Sequence, residues 1–269
     1  MRIQIYLGDR DLGELSEVAG KTAFQYDAAV SDWSYGPAPI TMPYRANPYI
    51  FQDPDFQRLP PMVADSLPDA FGMRTMLRWF KARQIDTPSA SQMLRYVGDR
   101  GMGALRYRPA EPVALDIDQA LDIRKAWLEV TTAGSSEIDE SSVEALRAKV
   151  GTAGGSYPKI LATIRKGCEN WSLTDPMQND PADEHWIIKF ATSDRRSLDN
   201  YPEIEQSYLE MARAAGIQCP ASRLIETVSD AGQIERHLAI KRFDLVGGRR
   251  IHLQSLSAML GRPANWLDL

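Results

Sequence analysis

Apolar and polar residues alternate from the start of the chain. Positions 2–7 read Arg, Ile, Gln, Ile, Tyr, Leu, which sets the two isoleucines on one side of an extended strand. Gly8-Asp9 offers a turn, a second strand follows from about Leu12, Ala19-Gly20-Lys21 turns again, and 22–26 makes a third strand. The pattern predicts a β-meander over residues 2–30. Residues 36–62 are rich in proline and aromatics and read as extended loop and sheet edge, because proline has no amide proton for a central ladder.

From residue 66 the period changes. Met73, Met76, Leu77 and Phe80 fall at i, i+3, i+4 and i+7, which predicts a helix over 66–83 with Ser66 and Pro68 at its start. A short helix over 89–96 should end at Gly98, which opens a bend containing Gly101 and Gly103. Residues 118–130 are again helical in pattern. Residues 131–139 are small and polar and read as a linker. Ser141 and Glu144 then have the spacing of a capping box, so a helix should restart there.

The second half has a different order. A glycine-rich loop at 151–157 leads into a strand at 159–165. A polar connection fills 170–184, and 186–190 is a short buried-type strand. A helix over 202–215 would carry Ile204, Tyr208, Met211 and Ala215 on one face and stop at Gly216. Strands at 222–228 and 237–243 flank Ala231-Gly232. Gly247-Gly248 turns the chain, and a last helix begins near Ser255.

Composition narrows the function classes. The 269 residues are 43% hydrophobic, enough for one large core or two ordinary ones. Formal net charge is −5 and no basic stripe appears, so contact with DNA is expected only through a partner. No apolar run reaches the roughly 18–20 residues that span a bilayer. The alternating N-terminus lacks an apolar signal core. Cys168 and Cys219 lie far apart, and His185, His237 and His252 are scattered, so neither a disulfide framework nor a metal cluster is expected. A reducing, cytoplasmic compartment fits this usage.

Glycine-rich loop, strand, strand with a central lysine, helix with a glutamate, then two strands: this is the order of the smaller, ATP-gripping lobe of a protein kinase. Phosphates need backbone N–H donors at close range, and small residues let the main chain approach. A lysine must neutralise phosphate charge while held in place, and a helix glutamate holds it. The loop is 152–159, the lysine Lys189 within Ile187-Ile188-Lys189-Phe190, and the glutamate Glu205. Each piece alone also has an ordinary reading: a turn, a snorkelling edge lysine, a solvated helix face. No Walker GK[ST] closes the loop, and a strand follows it, which argues against a dinucleotide fold.

The chain resembles the HipA family, the kinase toxins of bacterial toxin–antitoxin pairs. The resemblance is carried by Ser66-Leu67-Pro68-Asp69-Ala70-Phe71-Gly72, by Tyr96-Val97-Gly98-Asp99-Arg100-Gly101-Met102-Gly103-Ala104-Leu105, and by Gly154-Gly155-Ser156-Tyr157-Pro158-Lys159. It continues in Trp186 to Phe190, in Glu205 with Ala212 and Ala215-Gly216-Ile217, and in Lys241-Arg242-Phe243-Asp244. It implies an α+β chain in three parts. Residues 1–135 would be a β-rich accessory domain, 141–245 a kinase-like small lobe, and 246–269 the start of a larger helical lobe. ATP and Mg²⁺ would be the cofactors. Gly154, Gly155, Ser156, Tyr157, Pro158 and Lys159 would wrap the phosphates and Lys189 would contact them, positioned by Glu205. Lys241, Arg242 and Phe243 would form the hinge that meets adenine, and Thr152 matches a position that some members autophosphorylate. Lys241 departs from the usual glutamate, and Ser156-Tyr157 from the usual pair.

The family also implies a helix-turn-helix, HipB-like antitoxin, DNA contact only through it, and a substrate in translation such as an aminoacyl-tRNA synthetase. No membrane partner is implied. The catalytic aspartate, the metal-binding asparagine and the Mg²⁺-binding aspartate belong to the larger lobe, for which the 26 residues after Phe243 are too few; Asn265 and Asp268 lie in an isolated tail. These 269 residues alone are therefore expected not to transfer phosphate, as a truncated product or one half of a split kinase. The alternative is a non-catalytic binding module that docks an antitoxin or kinase subunit through residues 1–130. Trp33, Tyr35, Tyr44 and Tyr49 would then serve an interface, or else pack at the sheet edge.

Overall fold

The computed structural model describes residues 1–18, 20–113, 120–132, 140–153, 155, 157–165, 167–168, 170–174, 180–191 and 200–263. The predicted meander forms as β1 (Arg2–Leu7), β2 (Arg10–Val18) and β3 (Lys21–Tyr26). The proline-rich stretch adds an edge strand, β4 (Tyr49–Phe51), and the chain returns much later as β5 (Leu105–Arg108). The antiparallel order is β4-β3-β2-β1-β5. Ile3, Ile5, Leu12, Leu15 and Phe24 are fully buried on one face, as the alternation requires. A bulge interrupts the β1–β2 register beside Gly13, where a Cβ would lie 2.2 Å from the Gln25 carbonyl oxygen.

Helices α1 (Pro61–Ala64), α2 (Ala70–Lys81) and α3 (Ala90–Val97) cover that face. The helix predicted over 66–83 starts later, after Asp69, because the residue before a proline is pushed out of the helical region and Leu67 precedes Pro68. Ser66 instead sits in the turn after α1, where its hydroxyl accepts from the Tyr107 hydroxyl at 2.6 Å. Phe71, Met76, Trp79 and Phe80 form the buried face of α2, while Leu77 is exposed. Ser89 and Gln92 cap α3 reciprocally, and Gly98 ends it with a positive φ. Of the four candidate interface aromatics, Tyr35 projects into solvent. Trp33 lies under Arg10, and Tyr44 and Tyr49 pack around Tyr26.

Helix α4 (Ile123–Thr132) and helix α5 (Glu140–Lys149) join the two halves. Thr131 and Thr132, expected to open the linker, instead end α4, and the helix expected from residue 118 starts only at Ile123; residues 118–119 and 133–139 lie outside the described residues. The capping box expected at Ser141 does not form, because α5 is already under way at Glu140. The Glu144 carboxylate instead accepts from Trp79 Nε1 at 2.6 Å and from Arg83 at 3.1 Å, which fixes α5 on α2. One turn on, the buried Arg147 guanidinium lies over the Trp79 and Tyr96 rings and donates to the Glu111 and Pro112 carbonyls.

The second sheet holds β6 (Lys159–Ile164), β7 (Trp171–Leu173), β8 (Glu184–Lys189), β9 (Ser222–Val228) and β10 (Ile234–Lys241). Its antiparallel order is β7-β6-β8-β10-β9. Ile160, Ala162, Ile188, Phe190 and Ala239 share a core with Ala126 and Val130 of α4 and Leu146 of α5. Helix α6 (Tyr201–Ala214) leans on β9 and β10. Its expected apolar face is not the buried one: Tyr208 and Met211 are 66% and 63% exposed. The sheet-facing side carries Pro202, Glu205, Leu209 and Ala212, all at least partly buried. A hairpin of β11 (Leu245–Val246) and β12 (Arg249–Arg250) follows, then α7 (Leu256–Leu260), capped by Ser255. The Asp65 carboxylate accepts from the Ser255 hydroxyl at 2.7 Å and so holds α7 against α1. No helix among the described residues is long and apolar enough to cross a membrane.

Candidate functional site

Lys189 ends β8, and its register partner across the ladder is Lys159 on β6. Directly opposed residues share a face, so both ammonium groups lie on one side of the sheet. Helix α6 crosses that side and brings Glu205 to Lys189 Nζ at 2.5 Å. Both side chains are mostly buried, and Glu205 Oε2 has no hydrogen-bond partner of its own. Tyr201 lies one turn before Glu205. Burial and the nearby carboxylate push its phenol up, and its ring stacks on Tyr157 of the glycine-rich loop, with centroids 3.8 Å apart.

In that loop Gly155 and Tyr157 are described, whereas Gly154 and Ser156 lie outside the described residues. Gly155 has φ +112°, which other residues rarely adopt. The Pro158 carbonyl accepts from the Phe190 amide at 2.9 Å and so ties the loop's end to β8. Lys159 is 3% exposed. Its ammonium donates to the Ala153 carbonyl at 3.2 Å and to the Gly155 carbonyl, with Asp69 Oδ1 at 3.8 Å. Burial pushes this ammonium down; Asp69 opposes that shift and Lys189 adds to it. Burial raises the Asp69 carboxyl, against the pull of Lys159.

Thr152, at the loop's start, is buried, and its Oγ1 accepts from the Met102 amide at 2.9 Å. The stretch 98–105 thus touches the loop directly. It also touches the hinge segment, because the Gly103 amide donates to Asp244 Oδ2 at 2.8 Å. Arg242 meets the same fully buried carboxylate through two nitrogens, at 2.9 and 2.7 Å. Burial alone would raise Asp244, but the guanidinium outweighs it and holds the carboxyl below its ordinary value. Arg250 donates to the Asp99 carbonyl at 2.6 Å and to that of Gly101. Lys241 pairs with Glu184 at 2.6 Å. The Lys241 and Arg242 amides are engaged by the Ala221 and His185 carbonyls, each at 2.8 Å. Phe243 is exposed.

Between the halves lies a cavity of about 440 Å³, lined among others by Asp69, Met102, Thr152, Phe243, His252 and Gln254. Small-molecule sites span about 300–1,000 Å³. His252 Nε2 lies 3.0 Å from the Pro37 carbonyl, which can only accept, so the neutral ring leaves Nδ1 as a bare acceptor. That nitrogen, Gln254 Nε2 and Asp69 Oδ1 are all buried without a hydrogen-bond partner. Buried polar atoms are normally paired; Asp69 Oδ1 still faces the Lys159 ammonium at 3.8 Å, which leaves the His252 and Gln254 nitrogens as the open atoms at this cavity. His252 and Gln254 had no signal as site residues in the sequence, since only the fold brings them to the cavity, and Met102 stood in a recognised motif without a role of its own. Asp69 stood in a recognisable motif but without a role. Among the described residues no group of three or more His, Cys, Asp or Glu side chains could hold a metal ion.

Two antiparallel-sheet units define an α+β protein, and the cavity at their junction is lined by residues of both halves. The family comparison gives the same division: the HipA N-terminal domain matches residues 3–108 and the HipA-like C-terminal domain matches 151–267. The chain belongs to the HipA family. A comparison with curated proteins finds no match.

Proposed function

We propose that this site grips ATP with Mg²⁺, and that the chain carries the nucleotide-binding part of a HipA-like serine/threonine protein kinase toxin. The observation that carries the reading is the 2.5 Å pair of Lys189 and Glu205 beside the glycine-rich loop. An ammonium fixed by a carboxylate is what phosphoryl transfer requires of its strand lysine. Residues 154–158 would approach the phosphates, and the adenine would meet the Phe243 end of the 241–243 segment, where the cavity opens. The unpaired Gln254 and His252 atoms suit the polar edge of a nucleoside. Mg²⁺ would arrive with the nucleotide.

The phosphate would go to a serine or threonine of a translation component in the cytoplasm. A helix-turn-helix antitoxin would supply the DNA contact. Thr152 is a self-phosphorylation candidate only when the loop leaves its place, because its hydroxyl is buried against the Met102 amide.

Titration of the chain with Mg·ATP, beside Lys189→Met, tests this. Saturable binding that weakens at least about tenfold in the variant is expected from losing a charged phosphate contact. A folded wild-type chain that binds no nucleotide would refute the reading.

A further inference from the structure

We propose that Lys159 and Asp69 form a latch through which the N-terminal half presets the shape of the glycine-rich loop. Lys159 then acts as a positioning residue for the nucleotide, through the loop carbonyls it holds. The inference deepens the nucleotide reading and rests on the loop being a phosphate cradle.

The geometry argues for it from several sides. An ammonium that is 3% exposed must use its donors on something, and Lys159 uses them on the Ala153 and Gly155 carbonyls of its own loop. The carboxylate nearest to it comes from the other half of the molecule: Asp69, just before α2, at 3.8 Å. Other charges also reach the pair, since Arg74 acts on both members and Lys189 acts on Lys159. Gly155 fits the same design, because a Cβ there would stand 3.3 Å from Lys159 Nζ and 3.9 Å from Asp69 Oδ2. The loop's far side is held separately by the Tyr157–Tyr201 stack.

Register makes the latch consequential. Lys159 stands opposite Lys189, so the root of the loop and the proposed phosphate lysine are neighbours. Without Asp69, two like charges face each other in a half-buried site with one carboxylate fewer. Lys159 would turn outward and release the Ala153 and Gly155 carbonyls. The loop would then have to be shaped by the nucleotide, and apparent affinity would fall with the fraction of loops already in shape.

The experiment is a double-mutant cycle on the whole chain with Asp69→Asn, Lys159→Met and both together. It has two readouts: hydrogen exchange of the amides of residues 153–157 without nucleotide, and Mg·ATP affinity. Each single variant should speed loop exchange about fivefold and raise the apparent Kd by a similar factor, as expected if about a fifth of the loops stay in shape. The double variant should be no worse than either single one, because the pair acts as a unit. Loop exchange in Asp69→Asn equal to wild type, or single effects that multiply in the double, would overturn the latch. If Asp69→Asn does not fold, Lys159→Met decides on the same readouts, and unchanged loop exchange overturns the proposal. If the wild-type chain binds no Mg·ATP, the nucleotide reading fails, while the exchange measurement still decides the latch.

Discussion

The Gly103 amide donates to the Asp244 carboxylate at 2.8 Å, joining residues 141 positions apart. Asp244 also neutralises Arg242 where neither side chain reaches solvent. Removing one partner of such a pair strands the other charge. Asp244→Ala is expected to cost about 3–5 kcal/mol in urea denaturation at neutral pH. A loss below about 1 kcal/mol, the range of exposed pairs, would show that solvent reaches Arg242.

Glu205→Gln keeps the size of the side chain and a hydrogen bond to Lys189 but drops the charge that pins the lysine. A weakening of Mg·ATP binding by about three- to tenfold is expected, with only a small shift in melting temperature. A large drop in stability with unchanged affinity would make the pair structural.

His237 is fully buried between Trp127 and Phe190, and burial pulls its pKa from 6.5 to about 4. The unfolded chain therefore binds this proton more readily than the folded one. The resulting stability is complete above about pH 6.5 and is lost as pH falls towards 4, on the order of 3 kcal/mol in all. His185 and His252 are shifted in the same direction by burial. Urea midpoints measured between pH 7.5 and 4.5 should fall steadily, and His237→Gln should flatten the slope. An equal slope in that variant would remove the assignment.

Arg147 is the largest fully buried side chain among the described residues, and burial lowers its pKa to about 10. Arg147→Met keeps the stem over Trp79 and Tyr96 but leaves the Glu111 and Pro112 carbonyls without their charged donor. A loss of about 2–4 kcal/mol is expected in thermal or urea unfolding.

Much of the architecture was legible in the sequence because it is local. Alternation marked β1 to β3, and the short helix expected over 89–96 formed as α3 and ended at Gly98. The ion pair of Lys189 and Glu205 followed from element order alone. Other features depended on competition that no window of sequence shows. Glu144 had the spacing of a cap but went to Trp79 and Arg83, stronger partners from another helix. Tyr208 and Met211 had the period of a buried face, yet both are exposed, and the side against the sheet carries Glu205, Leu209 and Ala212. Asp69 is far in sequence from His252 and Gln254, and no periodicity links it to them; only the packing of the halves makes them one surface.

The position of β5 has a consequence for how the chain is born. β1, β2 and β3 form hairpins from neighbouring residues and can pair as they leave the ribosome, but β1's outer edge finds its partner only when residues 105–108 emerge. For that interval Gln4 to Leu7 present an open strand to any passing chain. A ribosome paused before residue 105 should therefore hold a nascent chain prone to edge-to-edge association, and release past Arg108 should end that risk.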